Sequence, residues 1–271
     1  MGKETAIQWC DSTWNPIRGC TKISQGCKNC YAETFAERFR GVPGHPFEQG
    51  FDLRLVPHKL GEPVKWKEPR RVFVNSMSDL FHDGIPFDYI CQVFAVMGIE
   101  GRHTYQILTK RADRLPRWSA WAQNYVDGAN MACRLALQDR IGIGGMRGED
   151  SVTAAESRAW PLPNVHLGVS VESAKFKDRI DHLRKTPAAV RFLSIEPLLE
   201  DVGTLDLTGI HQVIVGAESG HHARPMREDW VRSIRDQAIA QGVKMFYKQR
   251  LEGGRKVSLP MLDGRQWAEM P

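Results

Sequence analysis

A chain of 271 residues, 42% hydrophobic and 25% charged, has the proportions of a globular protein and the length of one large α/β barrel or two ordinary domains. Its 37 basic and 32 acidic residues leave a net charge of +5, which permits an anionic partner without requiring one. Six cysteines are too few for a disulfide scaffold, no run reaches the roughly 18 apolar residues of a membrane span, and the opening MGKETAIQWC lacks a charged-then-apolar leader, so the cytoplasm is the expected location.

The first twenty residues hold one short strand pattern and end in a cysteine-rich loop. Residues 40–71, rich in proline, glycine and basic residues, read as an extended excursion before the second strand. Short β-branched, apolar runs then recur at 72–75, 104–109, 165–170, 190–195, 212–216 and 243–247, each of strand length. Helices are predicted between them at 87–98, 174–184 and 229–241. The last has apolar residues at 230, 231, 234 and 238, with Gly242 as its stop. Residues 113–163 are too long for one crossover helix and include the glycine-rich stretch IGIGGMRGED, so they read as an inserted helical element capping the barrel. Alternating strands and helices predict parallel βαβ units with right-handed crossovers. The expected fold is α/β, a (βα)8-type or incomplete TIM-like barrel in a single domain over 1–271. A doubly wound open sheet is the alternative.

The loop GCTKISQGCKNCYAE carries Cys20, Cys27 and Cys30 at the spacing C-x6-C-x2-C. Thiolates are soft ligands suited to iron–sulfur clusters or zinc, and Gly19 and Gly26 give the loop freedom to wrap a metal. Three unrelated buried thiols would not concentrate half of the cysteines in eleven residues flanked by polar ones. A structural zinc wants four protein ligands, and Cys10 can supply the fourth. Three cysteines on a four-iron cluster instead leave one iron open to a ligand. Spacing does not choose between the two, but the loop follows the first strand of a βα series, where barrels of this kind place their active sites.

Residues just past the strand ends should converge on that mouth. They include Asn75, Ser76, Ser78 and Asp79; Thr109, Lys110 and Arg111; Ser170 and Glu172; Ser194 and Glu196; Gly216 and Glu218; and Lys248 and Gln249. Nearly all are polar and directly follow apolar runs, which favours a polar site over ordinary solvated loops.

A three-cysteine loop after the first strand of a βα barrel resembles the radical S-adenosylmethionine superfamily. More closely, the chain is similar to an uncharacterised bacterial and phage family with a three-cysteine motif. The segments that carry this likeness are TWNPIRGCTKISQGCKNCYAE, RRVFVNSMSDLFHDGIP, YQILTKR, WPLPNVHLGVSVES, VRFLSIEPL, VIVGAESG and FYKQ. The usual superfamily loop is C-x3-C-x2-C with an aromatic residue before the last cysteine. Here the first gap is six, Asn29 occupies that position and Tyr31 follows instead. The resemblance implies a [4Fe-4S] cluster on Cys20, Cys27 and Cys30, S-adenosyl-L-methionine as cofactor, and an electron donor such as a flavodoxin or ferredoxin. It implies that Ser76, Ser78 and Asp79 grip the cofactor's amino group. Ser170, Glu172 and Glu196 would hold its ribose or carboxylate. Gly216 of VIVGAES would let backbone approach the adenine, with Glu218 in the same run. The implied chemistry is reductive cleavage of the sulfonium to a 5′-deoxyadenosyl radical that takes hydrogen from a substrate.

Two stretches mix basic and aromatic residues. Residues 51–71 hold Arg54, Lys59, Lys65, Lys67, Arg70 and Arg71 around Trp66, and 244–256 hold Lys244, Lys248, Arg250, Arg255 and Lys256 near Phe246 and Tyr247. Such mixtures suit a nucleic-acid backbone and splayed bases, or are simply solvated basic faces. The competing function is therefore a non-catalytic, zinc- or cluster-stabilised module that binds nucleic acid. His221 and His222 beside Arg224 read as surface histidines. Trp9 and Trp14 flank the cysteine loop and are expected to shield it.

Overall fold

The computed structural model describes residues 5–123, 160–220 and 222–271. Its main sheet contains β1 (Ser12–Trp14), β4 (Arg71–Val74), β5 (Thr104–Thr109), β6 (Val165–Ser170), β7 (Val190–Ile195), β8 (Gln212–Gly216), β9 (Lys244–Glu252) and β10 (Arg255–Ser258), paired in that order. The pairs from β1 through β9 are parallel and the last is antiparallel. Among the described residues β1 and β10 do not pair, so the sheet is an open, incomplete TIM-like barrel rather than a closed eightfold one.

The curl shows in one side chain. Strands stand about 4.8 Å apart, so a flat sheet would hold β4 and β7 about 14 Å apart. Yet the Trp9 indole lies 4.6 Å from the Phe73 ring of β4 and 6.2 Å from the Phe192 ring of β7. Both phenyl rings therefore line one concave face, joined there by Cys10, Ile214 and Phe246. Phe192 fits because its neighbour on β6 is Gly168; a Cβ there would come within 2.4 Å of the phenyl ring.

The alternate residues of the same strands face outward. Val72, Val74, Ile107, Leu167, Val169, Leu193, Val213 and Val215 pack with the helices in the larger core. Helix α2 (Phe87–Ile99) buries Tyr89, Ile90, Val93, Phe94 and Met97, a helical spacing that lays one stripe on the sheet. Two further crossover helices follow, α4 (Asp178–Arg184) and α5 (Glu228–Ala240), the second burying Val231, Ile234 and Ala238. A helix preceding them, α3, covers 114–123. Most of the predicted insertion, residues 124–159, lies outside the described residues.

Four differences from the sequence reading have physical causes. The excursion at 40–71 is tied down: β3 (Arg54–Leu55) pairs antiparallel with β2 (Ile17–Arg18), and two 3-10 turns follow, Pro57–Lys59 and Pro63–Lys65. The helix predicted at 174–184 opens as a separate 3-10 turn, Ala174–Phe176, before α4. The strand predicted at 243–247 runs on to Glu252, because Gly253 and Gly254 (φ +54° and +78°) form a two-residue turn into β10. The C-terminal residues then return along the lower half of β9, where Tyr247 and Glu269 donate backbone hydrogen bonds to Trp267 and Met245, and so cover an otherwise bare edge. A last hairpin, β11 (Met261–Leu262) with β12 (Arg265–Gln266), precedes that return.

Candidate cofactor site at the barrel mouth

The parallel strands present their C-terminal ends on one side, and the cysteine loop lies across it. After β1 the chain turns at Gly19, whose φ is +79° and whose missing Cβ leaves room for the Asp52 carbonyl. Gly19 N–H donates to Met77 O and Cys20 N–H to Phe51 O, which fixes the start of the loop between the end of β4 and the excursion. Helix α1 (Tyr31–Glu37) closes it, burying Ala32 and Ala36 against Phe51, Cys20 and Cys30.

Four strand ends then pin the loop. From β4, the Ser76 carbonyl accepts the Tyr31 hydroxyl at 2.6 Å. From β5, Arg111 donates to the Cys20 sulfur at 3.4 Å and to Thr21 O and Oγ1 at 3.0 and 2.9 Å. From β6, Glu172 accepts the Ser24 hydroxyl, and a Cβ on Gly26 would stand 2.6 Å from its Oε1. From β8, Glu218 accepts the Asn29 amide at 2.9 Å, while the same amide donates to His222 O at 2.8 Å.

Each bracing acid is itself held by an arginine. Asp79 accepts from Thr109 Oγ1 (2.7 Å), Phe81 N–H (3.0 Å), Lys110 N–H (3.1 Å) and Arg111 (3.2 Å). Glu172 is paired with Arg179 of α4 at 2.8 Å, both buried. Glu218 is paired with Arg224, whose N–H and Nε both donate at 2.9 Å. Burial alone would raise the Glu218 carboxyl, but hydrogen bonds from Arg224 and Asn29 bring it below its ordinary range.

These partners give several of the expected site residues a structural task as well. Glu172 and Glu218 thus hold the cysteine loop directly and Asp79 holds it through Arg111, with four protein donors on each of Asp79 and Glu218 and two on Glu172. Ser76 Oγ pairs with the Asn15 amide and Ser78 Oγ donates to Ile17 O at 2.9 Å, so both serines tie β4 to the first strand segment. Three predicted residues do face the mouth differently. Ser170 is 1% exposed with no hydrogen-bond partner for its hydroxyl among the described residues. Glu196 pairs with Lys248 at 2.6 Å across Gly216, and a Cβ on that glycine would come 3.4 Å from the Glu196 carboxyl carbon. Asn75, buried at φ +61°, leaves both amide atoms without a protein partner among the described residues. The arginines Arg111, Arg179 and Arg224 carry more of the site than sequence reasoning gave them. Their signal was present only as acid–base pairs brought together by the fold.

Burial pushes the Cys20 thiol up to about 11, Asp79 adding to the rise and Arg111 opposing it, and burial also raises Cys30. A bound cation reverses that balance by favouring thiolate. Among the described residues, no three Cys, His, Asp or Glu side chains are gathered to hold a single metal ion. Tetrahedral zinc with Zn–S near 2.3 Å needs its sulfurs about 3.8 Å apart; thiolates on different irons of one cluster stand farther apart. Cys10, the fourth zinc ligand considered from sequence, packs instead with Trp9, Phe73 and Phe192, where burial pushes its thiol up to about 12. Trp9 fills the barrel floor, and Trp14 donates to Lys59 O in the outer core, so neither covers the loop.

The two basic stretches also separate. Lys65, Lys67, Arg70 and Arg71 precede or open β4, at the opposite end from the mouth, with Arg71 paired to Asp11. Arg255 and Lys256 sit at the hairpin beyond the C-terminal half of β9. They do not flank one opening. His221 lies outside the described residues.

Over residues 4–271 the chain matches the family model described as "Protein of unknown function (DUF5131)". No curated protein sequence matches it. Solved structures similar to it include spore photoproduct lyase with bound AdoMet and dinucleoside spore photoproduct, at 10% identity and a TM-score of 0.41, covering 94% of this chain and 68% of that one. Another is spore photoproduct lyase complexed with dinucleoside spore photoproduct, at 12% identity and 0.40, with the same coverage.

Proposed function

We propose a function from the premise that this chain belongs to the protein family of unknown function DUF5131: it is an iron–sulfur enzyme that uses S-adenosylmethionine for radical chemistry on a substrate at the barrel mouth. One observation carries the reading. Three thiols lie on a loop pinned across the mouth from four strand ends, above buried polar groups that have no hydrogen-bond partner among the described residues.

The donor set suits a [4Fe-4S] cluster. Cys20, Cys27 and Cys30 supply three soft ligands from one loop, while Cys10 packs in the barrel floor. When bound, the cluster supplies the electron that cleaves the cofactor's sulfonium and so provides a carbon radical for hydrogen abstraction. The chain's own contribution is position and environment. Asn75 offers an amide donor and acceptor, and Ser170 offers a hydroxyl, to the polar parts of the cofactor. Lys248 and Glu196 place a paired cation and carboxylate beside Gly216, within reach of a ligand's charged or hydroxyl groups. The apolar floor of Phe73, Phe192 and Phe246 closes the barrel below and excludes water from that side.

The test is anaerobic purification followed by iron, sulfide and electron paramagnetic resonance measurements. The expected result is about four irons per chain, lost in Cys27→Ala and kept in Cys10→Ala. With S-adenosylmethionine and a strong reductant, the protein should form methionine and 5′-deoxyadenosine. Zinc as the metal found, or full iron in Cys27→Ala, overturns the reading.

A further inference from the structure

We propose that Arg111 sets the reduction potential of the cluster, with Asp79 as the opposing charge; this rests on the reading above that Cys20, Cys27 and Cys30 carry four irons. The guanidinium is 4% exposed and its Nη1 bridges two groups, the Cys20 sulfur at 3.4 Å and Asp79 Oδ2 at 3.2 Å. Its Nη2 is fixed by both oxygens of Thr21, so the fork cannot turn away from the sulfur. The Asp79 carboxylate is fixed in turn by Thr109 and two backbone N–H groups. Neither Cys27 nor Cys30 has an arginine hydrogen-bonded to its sulfur among the described residues.

Reduction adds one electron to the cluster and therefore one negative charge beside Arg111. No bond forms or breaks at the arginine, and no proton moves, because a guanidinium stays protonated. A fixed cation hydrogen-bonded to a ligating sulfur, in a place that water scarcely reaches, stabilises the reduced form more than the oxidised one. Arg111 thus raises the potential, and Asp79 lowers it by sharing the same guanidinium. A residue that merely held the loop would not give shifts of opposite sign when the two partners are changed.

The experiment measures the cluster's midpoint potential in the full-length, anaerobically loaded protein by a mediated titration read by electron paramagnetic resonance. Arg111→Gln should shift the reduced-to-oxidised ratio at fixed potential at least about tenfold toward oxidised, which is 59 mV downward for a one-electron couple. Arg111→Lys should keep part of the shift, since it retains charge but not the fork. Asp79→Asn should move the potential upward. Asp83 is 73% exposed and 3.5 Å from Arg111 Nε, so Asp83→Asn, a surface change, should give a smaller upward shift at low salt. If the Arg111 and Asp79 variants lose iron, Asp83→Asn decides: an upward shift supports the proposal and an unmoved potential overturns it. Loaded variants whose potentials stay fixed, or all move one way, remove this inference alone. A wild-type protein without a four-iron signal removes the reading on which it rests.

Discussion

The two ends of one set of strands have opposite chemistry. At the end where the parallel strands begin, Trp9, Cys10, Phe73, Phe192, Ile214 and Phe246 fill the concave face with apolar volume. At the end where they finish, Asp79–Arg111, Glu172–Arg179 and Glu218–Arg224 place three acid–arginine pairs under a thiol-bearing loop. The floor gains stability by excluding water, roughly in proportion to apolar area. The mouth holds charges that cost free energy to bury and are tolerable only because each is paired and hydrogen-bonded. Stability is therefore concentrated at one end, and geometry that serves a ligand at the other.

The first way to break that division is to empty the floor. Phe192→Ala should cost about 3–5 kcal/mol of unfolding free energy, the usual penalty for truncating a buried aromatic. If the ends are separable, surviving folded protein should still load iron normally. Chemical denaturation and metal content on the same samples check both halves of the expectation.

A smaller effect is expected at the mouth. Asn29 sits between Cys27 and Cys30 and donates to both Glu218 and the His222 carbonyl. Asn29→Ala removes a charge-assisted hydrogen bond, worth about 1.5–3 kcal/mol. That loss should fall on the loop: iron retention under a chelator should shorten, while the global unfolding midpoint moves little. A fall in the midpoint matching the Phe192 variant would show that loop and core unfold together.

Sequence legibility follows the same division. Runs such as Thr104–Thr109, Val165–Ser170 and Gln212–Gly216 are strands in the structure at the bounds read from the sequence, because fully buried parallel strands are continuous apolar runs. The convergence of polar residues at strand ends was equally visible. Their division of labour was not. Nothing local in SVES says that Glu172 will spend its oxygens on Ser24 and on Arg179. The same holds for Asp79, which is read as a free carboxylate until Thr109 and Arg111 arrive from another strand. The hairpin at Gly253–Gly254 has its sequence signal in the two adjacent glycines, both at positive φ, set between the basic residues Arg250, Arg255 and Lys256.

The smallest expected effect concerns pH at the floor. His166 lies on the inner face of β6, in register with Gln106 of β5, and its Nδ1 has no partner among the described residues. Burial, with the neighbouring His211 adding to it, lowers its pKa from the ordinary 6.5 to about 4. The folded state thus resists a proton that the unfolded chain accepts. Stability is fully present above the unfolded value of 6.5 and is lost as pH falls from there toward 4, since the unfolded state binds more protons in that window. Each unit of pKa difference corresponds to about 1.4 kcal/mol, but the half-buried ring keeps some water, so the loss should be on the order of 1 kcal/mol. Glu218 titrates in the same direction at lower pH, so the wild-type curve alone does not isolate the histidine. His166→Gln isolates it: the difference between wild-type and variant unfolding free energies should drift by that amount between pH 7 and pH 4.5 and level off at either side. A difference that stays flat would mean that the floor admits water to His166, and the contrast between a dry floor and a polar mouth would fail at that residue.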